Sequence, residues 1–309
     1  MPSYFYYLTL LTTIYEKFNC STQNQGEIFL AFLVRRVTWL DDENNVCMKY
    51  CLISILLFTN TCKPQEWQAE VMAGVSGYSG DLTQNRISIK QLRPSFNFNI
   101  KYNTGDFINV RAGIVYAKVF ADDKNNTEIN LKNRNLNFQS NILELNLVAE
   151  IVLLDPEVYT SYPYVLGGVG VFHFNPFTYD KDNKKTYLQP LSTEGQGLEE
   201  YPGRKKYSLT QFCLPIGVGW KWRINENWNI SYELGLRILF TDYLDDVSKT
   251  YVNLDALATE KGSKSAELAY RGNPPFLYEG ESRGNSAIND TYFFSGIKIS
   301  TKLSAFRKK

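Results

Sequence analysis

The single histidine of this 309-residue chain, His173, sets the ceiling on its acid–base chemistry. A nucleophilic mechanism needs a base within hydrogen-bond reach of the attacking serine or cysteine. His173 lies between Phe172 and Phe174, and Ser192 and Ser208 flank the loop that follows. Nothing in the spacing brings either serine to the ring, so an interfacial structural histidine is the simpler reading. Gly167, Gly168 and Gly170 are not a nucleotide loop, because no helical pattern follows and no Lys-Ser/Thr ending is present. Easing strand curvature is their plainer use. Asp242, Asp245 and Asp246 offer oxygen ligands to a hard cation but lack calcium-loop spacing. They read as solvated or capping carboxylates. Cys20, Cys47, Cys51 and Cys62 precede the main body, Cys213 alone lies within it, and no CxxC pair occurs, which argues against zinc. A net charge of +1 gives no electrostatic case for nucleic acid. The chemistry-bearing residues therefore predict no catalytic, cofactor-binding or metal site, and no small-molecule substrate.

The elements that would have to position such residues alternate with period two. Over 227–240, Trp228, Ile230, Tyr232, Leu234, Leu236, Ile238 and Phe240 take one face. Asn229, Ser231, Glu233, Gly235 and Arg237 take the other. Side chains alternate across a strand, whereas a helix would scatter both sets. Comparable runs cover 67–78, 95–102, 108–116, 143–153, 162–174, 211–222 and 291–303, which makes eight. They are longer than the ordinary strand of about 5–6 residues and match the roughly 9–11 a membrane-crossing strand needs. Trp67, Tyr102, Tyr116, Tyr164, Trp220, Trp222, Trp228 and Phe240 fall near strand ends, as interfacial girdles do.

Short connections (103–106, 155–161, 223–226) alternate with long ones (79–90, 118–137, 175–206, 241–290). Asn103-Thr104-Gly105-Asp106, Asp155-Pro156 and Asn225-Glu226-Asn227 supply turn chemistry. Pro215 interrupts its run, and a bulge is the simplest repair. The prediction is an all-β, membrane-spanning antiparallel up-and-down barrel of about eight strands with long outer loops. Glu70, Lys101, Arg111, Glu144, Glu150, Lys221, Glu233, Arg237, Lys298 and Lys302 then point inward, as a packed ion network rather than a pore.

The chain ahead of the barrel has a different character. Met48-Lys49 gives a short basic start, 50–58 an apolar run and 59–65 a small polar exit. That is the layout of a secretory signal peptide, which belongs at a true N-terminus. Residues 1–47 therefore read as an upstream mis-start extension, 48–65 as the signal peptide and 66–309 as an outer-membrane barrel domain.

Five segments look specific. They are Arg134-Asn135-Leu136-Asn137-Phe138, the run 163–176 through Gly167-Gly168-Val169-Gly170, and 188–198 with Thr193-Glu194-Gly195-Gln196-Gly197-Leu198. Tyr207-Ser208-Leu209-Thr210-Gln211 and Phe240-Thr241-Asp242-Tyr243-Leu244-Asp245-Asp246-Val247-Ser248 complete the set. Together they resemble the Bacteroidetes outer-membrane barrel family that includes PorG, a component of the type IX secretion and gliding apparatus. The resemblance spans about 67–303. It implies a non-enzymatic protein of the outer membrane, in contact with its lipids and with a periplasmic ring of PorK- and PorN-like subunits. It carries over no catalytic residue. A surface-binding barrel with recognition loops is the competing expectation. A lipid-modifying barrel enzyme resting on His173 is the third.

Overall fold

The computed structural model describes residues 66–85, 88–105, 107–272 and 279–306. The mis-start and signal-peptide expectations, for 1–47 and 48–65, lie outside these residues. The barrel wall begins with β1 (Glu66–Ser79), β2 (Arg93–Asn103), β3 (Ile108–Asp122), β4 (Asn137–Val152) and β5 (Ser161–His173). A small hairpin, β6 (Phe177–Tyr179) and β7 (Lys185–Tyr187), stands beside β4. The wall resumes with β8 (Thr210–Arg223), β9 (Trp228–Leu239) and β10 (Thr291–Lys302). Apart from that hairpin, each strand pairs antiparallel with its neighbours in chain order, and β1 pairs β10, so the sheet closes as an eight-stranded barrel.

The stagger can be read directly from the pairing. Ser76 faces Phe294, then Gly235, Gly217, Leu166, Glu150, Asn109 and Asn103 in turn, and the circuit returns to β1 at Glu66, ten residues from its start. Closure with such a shear goes with strands tilted about 35–45°.

The wall is dressed inside out relative to a water-soluble protein. On β9, Trp228, Ile230, Tyr232, Leu234, Leu236 and Ile238 are exposed, while Ser231, Glu233 and Arg237 are buried. Val71, Phe98, Ile114, Leu145, Val169, Val218 and Ile299 continue the apolar exterior around the other strands. Trp67, Trp220, Trp222 and Trp228, the four tryptophans among the described residues, all face outward at the short-turn end. Tyr102 packs 4.9 Å from Trp67, ring to ring. Tyr164 does not join this girdle. It is buried in the lumen, because Tyr162, Tyr164 and Leu166 take the inward phase of β5.

Beyond the apolar belt the dressing reverses. Val115, Ala117, Val119 and Ala121 on β3, and Phe138 and Ile142 on β4, turn inward, while Lys118 and Asn141 turn outward. The outer ends of these strands thus follow the rule for water. They also shorten the expected 118–137 loop to 123–136, because pairing runs on to Asp122↔Asn137. Pro215 carries no bulge. β8 keeps one register with β9, and its pairing with β5 lapses only opposite Gly168 and Val169 before resuming unshifted. Proline has no N–H to donate, so the ladder skips rather than inserts. Gly168 also has to be glycine, since a Cβ there would collide with the Leu147 carbonyl of β4.

At the short-turn end Asn225 Oδ1 accepts from the amides of Asn227 (2.9 Å) and Trp228 (3.0 Å), and Asp155 Oδ1 accepts from that of Glu157 (2.8 Å). At the other end the long loops carry helices α1 (Ile129–Arg134), α2 (Leu254–Lys261) and α3 (Ser263–Ala269) and fold over the barrel mouth.

Candidate functional site

Nine of the ten charged residues expected inside are buried there; Lys302 lies at the rim in a half-exposed pair with Glu66 (2.7 Å). In the turn-end half, three carboxylates face four cations. Glu233 takes both terminal nitrogens of Arg111 (2.7 Å each) and Lys298 Nζ (2.7 Å), and accepts the Tyr164 hydroxyl (2.8 Å). Glu70 pairs with Lys101 (2.8 Å) and stands 3.4 Å from Lys298. Glu150 pairs with Lys221 (2.5 Å) and is shared by Lys101, Arg111 and Lys298 at 3.7–3.9 Å. Farther out, Arg237 Nε donates to Glu144 (2.9 Å), which also accepts the Tyr292 hydroxyl (2.7 Å). Above this layer Met72, Phe138, Phe172 and Phe294 join one buried apolar cluster. Long side chains from opposite walls meet because an eight-stranded barrel is only wide enough to be filled by them. With a buried ionic layer and a buried apolar cluster stacked in the lumen, the protein reconstituted in a planar bilayer should give no steady single-channel current.

The loop motifs meet in a cap. Asp246 accepts from Thr193 Oγ1 (2.5 Å) and from the Tyr207 hydroxyl (2.7 Å). Glu194 accepts from the amides of Ser248 (2.9 Å) and Lys249 (3.0 Å). Arg283 lies between them, donating to Glu194 Oε1 (3.0 Å) and to the Asp246 carbonyl (2.5 Å). Arg134 clamps Asp123 (2.8 Å) and donates to the Arg283 carbonyl (2.6 Å). Four of the five specific segments thus close on one arginine that no motif contains. The signal for Arg283 was weak, a lone base between Ser282 and Gly284 in a polar stretch.

The chain matches the family described as a domain of unknown function, DUF6089, over residues 47–261, more than half its length. It belongs to the DUF6089 family. No curated protein matches it. Among solved structures it is similar to Neisserial surface protein A, at 8% identity and a TM-score of 0.40, covering 78% of this chain and 100% of that one. A major outer membrane protein from Thermus thermophilus gives 12% identity and a TM-score of 0.38 over 78% of this chain and 100% of its own. The N-terminal barrel domain of Pseudomonas aeruginosa OprF gives 11%, 0.34, 78% and 100%. This DUF6089 protein has an outer-membrane-type eight-stranded barrel fold, as its own strand pairing establishes.

The residues singled out for chemistry are dispersed in it. His173 faces outward at the outer end of β5, with Nδ1 3.0 Å from Thr210 Oγ1. Ser208 Oγ donates to the Thr210 carbonyl (2.9 Å), and Ser192 is buried at a left-handed turn (φ 55°) leading into Thr193. Among the described residues no group of three or more His, Cys, Asp or Glu is arranged to hold a metal ion. The three aspartates are not solvated, contrary to expectation: Asp242, Asp245 and Asp246 are all buried beneath the loops. Asp245 does act as a cap, its Oδ1 accepting from the Val247 amide (2.8 Å).

Asp245 also shares a hydroxyl. Tyr78 Oη lies 2.5 Å from Asp245 Oδ2 and 2.9 Å from Asp290 Oδ1. One hydroxyl proton cannot serve two carboxylates, so one of the acids must itself be protonated. Gly80 makes room for the cluster, since a Cβ there would strike Asp290 and Tyr78. Burial pushes Asp245 and Asp290 well above the usual carboxylate range, and facing each other raises Asp245 further. Burial, with Asp81 and Glu194 nearby, raises Asp242 to about 8, and burial raises Asp246 to about 6 against the pull of Arg283. A carboxyl raised on folding holds its proton more tightly in the folded cap than in the unfolded one. Its stabilisation is full below the ordinary carboxylate value and is lost as pH climbs through the raised one. Between about pH 4 and pH 8 the cap should therefore loosen progressively. Hydrogen-exchange protection factors of the Leu244 and Val247 amides, which donate to Asp290 and Asp245, should fall across that window; constant values would contradict it.

Proposed function

We propose that this DUF6089 protein is an integral outer-membrane barrel with no catalytic role that serves the type IX protein secretion machinery. Its short turns would meet the periplasmic ring of PorK- and PorN-like subunits, and its belt would contact outer-membrane lipids. The observation that carries the membrane reading is the reversed dressing of the wall, apolar outward and charged inward. A lysine or arginine facing lipid at the midplane would cost about 2–4 kcal/mol, and the described belt keeps them inside. The filled lumen supports a protein that works through its two ends rather than through a channel. The secretion role rests on the motif resemblance, four of whose five segments build the cap. Deleting the gene in its host and measuring type IX cargo in the medium tests it. Collapse of secretion, restored by a copy starting at Met48 and accompanied by cross-links to ring subunits in intact cells, is the expected result. Normal secretion would overturn the role and leave the barrel. The second reading would then lead: a surface-binding barrel, favoured by outer loops that fold into a packed cap instead of trailing in solvent.

A further inference from the structure

The turn-end layer of the lumen does not balance its charge. Among the described residues, Lys101, Arg111, Lys221 and Lys298 face the carboxylates of Glu70, Glu150 and Glu233 alone, with every one of these side chains no more than 5% exposed. A surplus buried cation is costly unless a counter-charge reaches it or it gives up its proton. Lys221 is the cation least compensated. Its carboxylate partner is Glu150, which three other cations share, and its remaining neighbours are the faces of Tyr164 and Tyr162 at 5.0 and 5.9 Å.

Just below lies an open vestibule of about 460 Å³ at the turn end, with Lys221 and Lys101 at its floor and the amides of Gln68, Asn103 and Asn109 on its wall. That volume falls in the range of small-ligand sites, about 300–1,000 Å³. Arg223 stands in the wall nearer the mouth. Among the described acids of the mouth, Glu66 is already paired with Lys302, and Glu226 lies on an exposed turn where water and salt screen it.

We propose that the vestibule is a carboxylate-binding site in which an anionic group entering from the short-turn side completes the charge of the lumen at Lys221. The occupant is a carboxylate, either a small free acid or the C-terminus of a peptide chain. Amide donors beside the ammonium of Lys221 suit the compact carboxylate. This inference does not depend on the secretion role, since it follows from the barrel alone.

The test uses the barrel refolded in detergent micelles, with backbone amide resonances of Gln68, Asn103 and Lys221 followed at constant ionic strength. Acetate is expected to give saturable shifts confined to the vestibule, and Lys221→Met to weaken the apparent affinity at least tenfold. Lys221→Met should still fold, because it leaves three cations against three carboxylates; far-UV circular dichroism checks this. Lys302→Gln, at the rim, should change the affinity less than threefold. A short peptide with a free C-terminus, compared with its amidated form, separates the two sources of the carboxylate. Binding of the free form alone assigns a chain end, and equal weakness of both beside acetate assigns a small acid. Absence of saturation by acetate and peptide, undiminished binding to folded Lys221→Met, or a preference for inorganic phosphate over acetate would each overturn the proposal.

Discussion

Replacing Glu233 with leucine should destabilise the barrel by about 3–5 kcal/mol, the cost of breaking a buried ionic cluster by removing one partner. The size follows from what the carboxylate holds. Both terminal nitrogens of Arg111, the ammonium of Lys298 and the hydroxyl of Tyr164 end on it, at 2.7–2.8 Å, and all four side chains are buried. Without it the turn-end layer keeps four cations against two carboxylates. A urea midpoint for unfolding in micelles, or the temperature at which the folded band is lost on unboiled gels, reports the change. The triple variant Glu233→Leu, Arg111→Met, Lys298→Met should recover most of the loss. It removes one acid and two bases together, and apolar replacement of a whole buried ionic group is often neutral or stabilising. The rim pair Lys302–Glu66 has the same 2.7 Å separation but is about a quarter exposed on each side, so its removal should cost only about 0–1 kcal/mol. If Glu233→Leu matched the parent within that smaller figure, the lumen would have to be hydrated instead of packed.

The inward set was legible because period two is a strong signal where one face meets lipid and the other meets charge. Glu233 and Arg237, two turns of the pleat apart, could only share a face. Their partners could not be read. Glu233 reaches Arg111 of β3 across the lumen and Arg237 reaches Glu144 of β4, and those distances depend on a shear that no local pattern encodes. Tyr164 was misplaced for a related reason. Near Gly167 and Gly168 both faces of β5 are weakly marked, and a one-residue slip in phase exchanges inside for outside.

The cap was less legible again. Asp242, Asp245 and Asp246 look solvated in a sequence because carboxylates are rarely buried without partners. The partners of Asp245 and Asp246, namely Tyr78, Thr193, Tyr207 and Arg283, arrive from distant stretches of the chain. The outer halves of β3 and β4 were hidden by the reversal of polarity at Lys118 and Asn141, where the strands leave lipid for water and the apolar residues change sides. Such a reversal reads as the end of a strand, and it is in fact the end of the membrane belt.

Arg283→Met should release the cap while leaving the barrel intact. Among the described residues the guanidinium is the one cation paired with both Glu194 and Asp246, and it also donates to the carbonyls of Asp246 and Ala269. Its removal leaves two buried carboxylates facing each other, a local cost of about 3–5 kcal/mol by the same argument as for Glu233. The strands do not share that cost, since each of these partners lies in a loop or in the short helix α3. Brief proteolysis should therefore cut the variant within 240–290 under conditions where the parent resists, with the folded barrel band unchanged. Arg283→Lys should rescue only part of the protection, because one ammonium cannot reproduce the planar set of donors that spans both acids. Lowering the pH should rescue Arg283→Met more than it helps the parent. With the arginine gone, protonation of Asp246, already raised to about 6 in the parent, becomes the remaining way to discharge the site. Cap resistance equal to the parent's at neutral pH would mean that the apolar packing of Leu198, Val252, Leu257 and Ala269 holds the loops without the ion cluster.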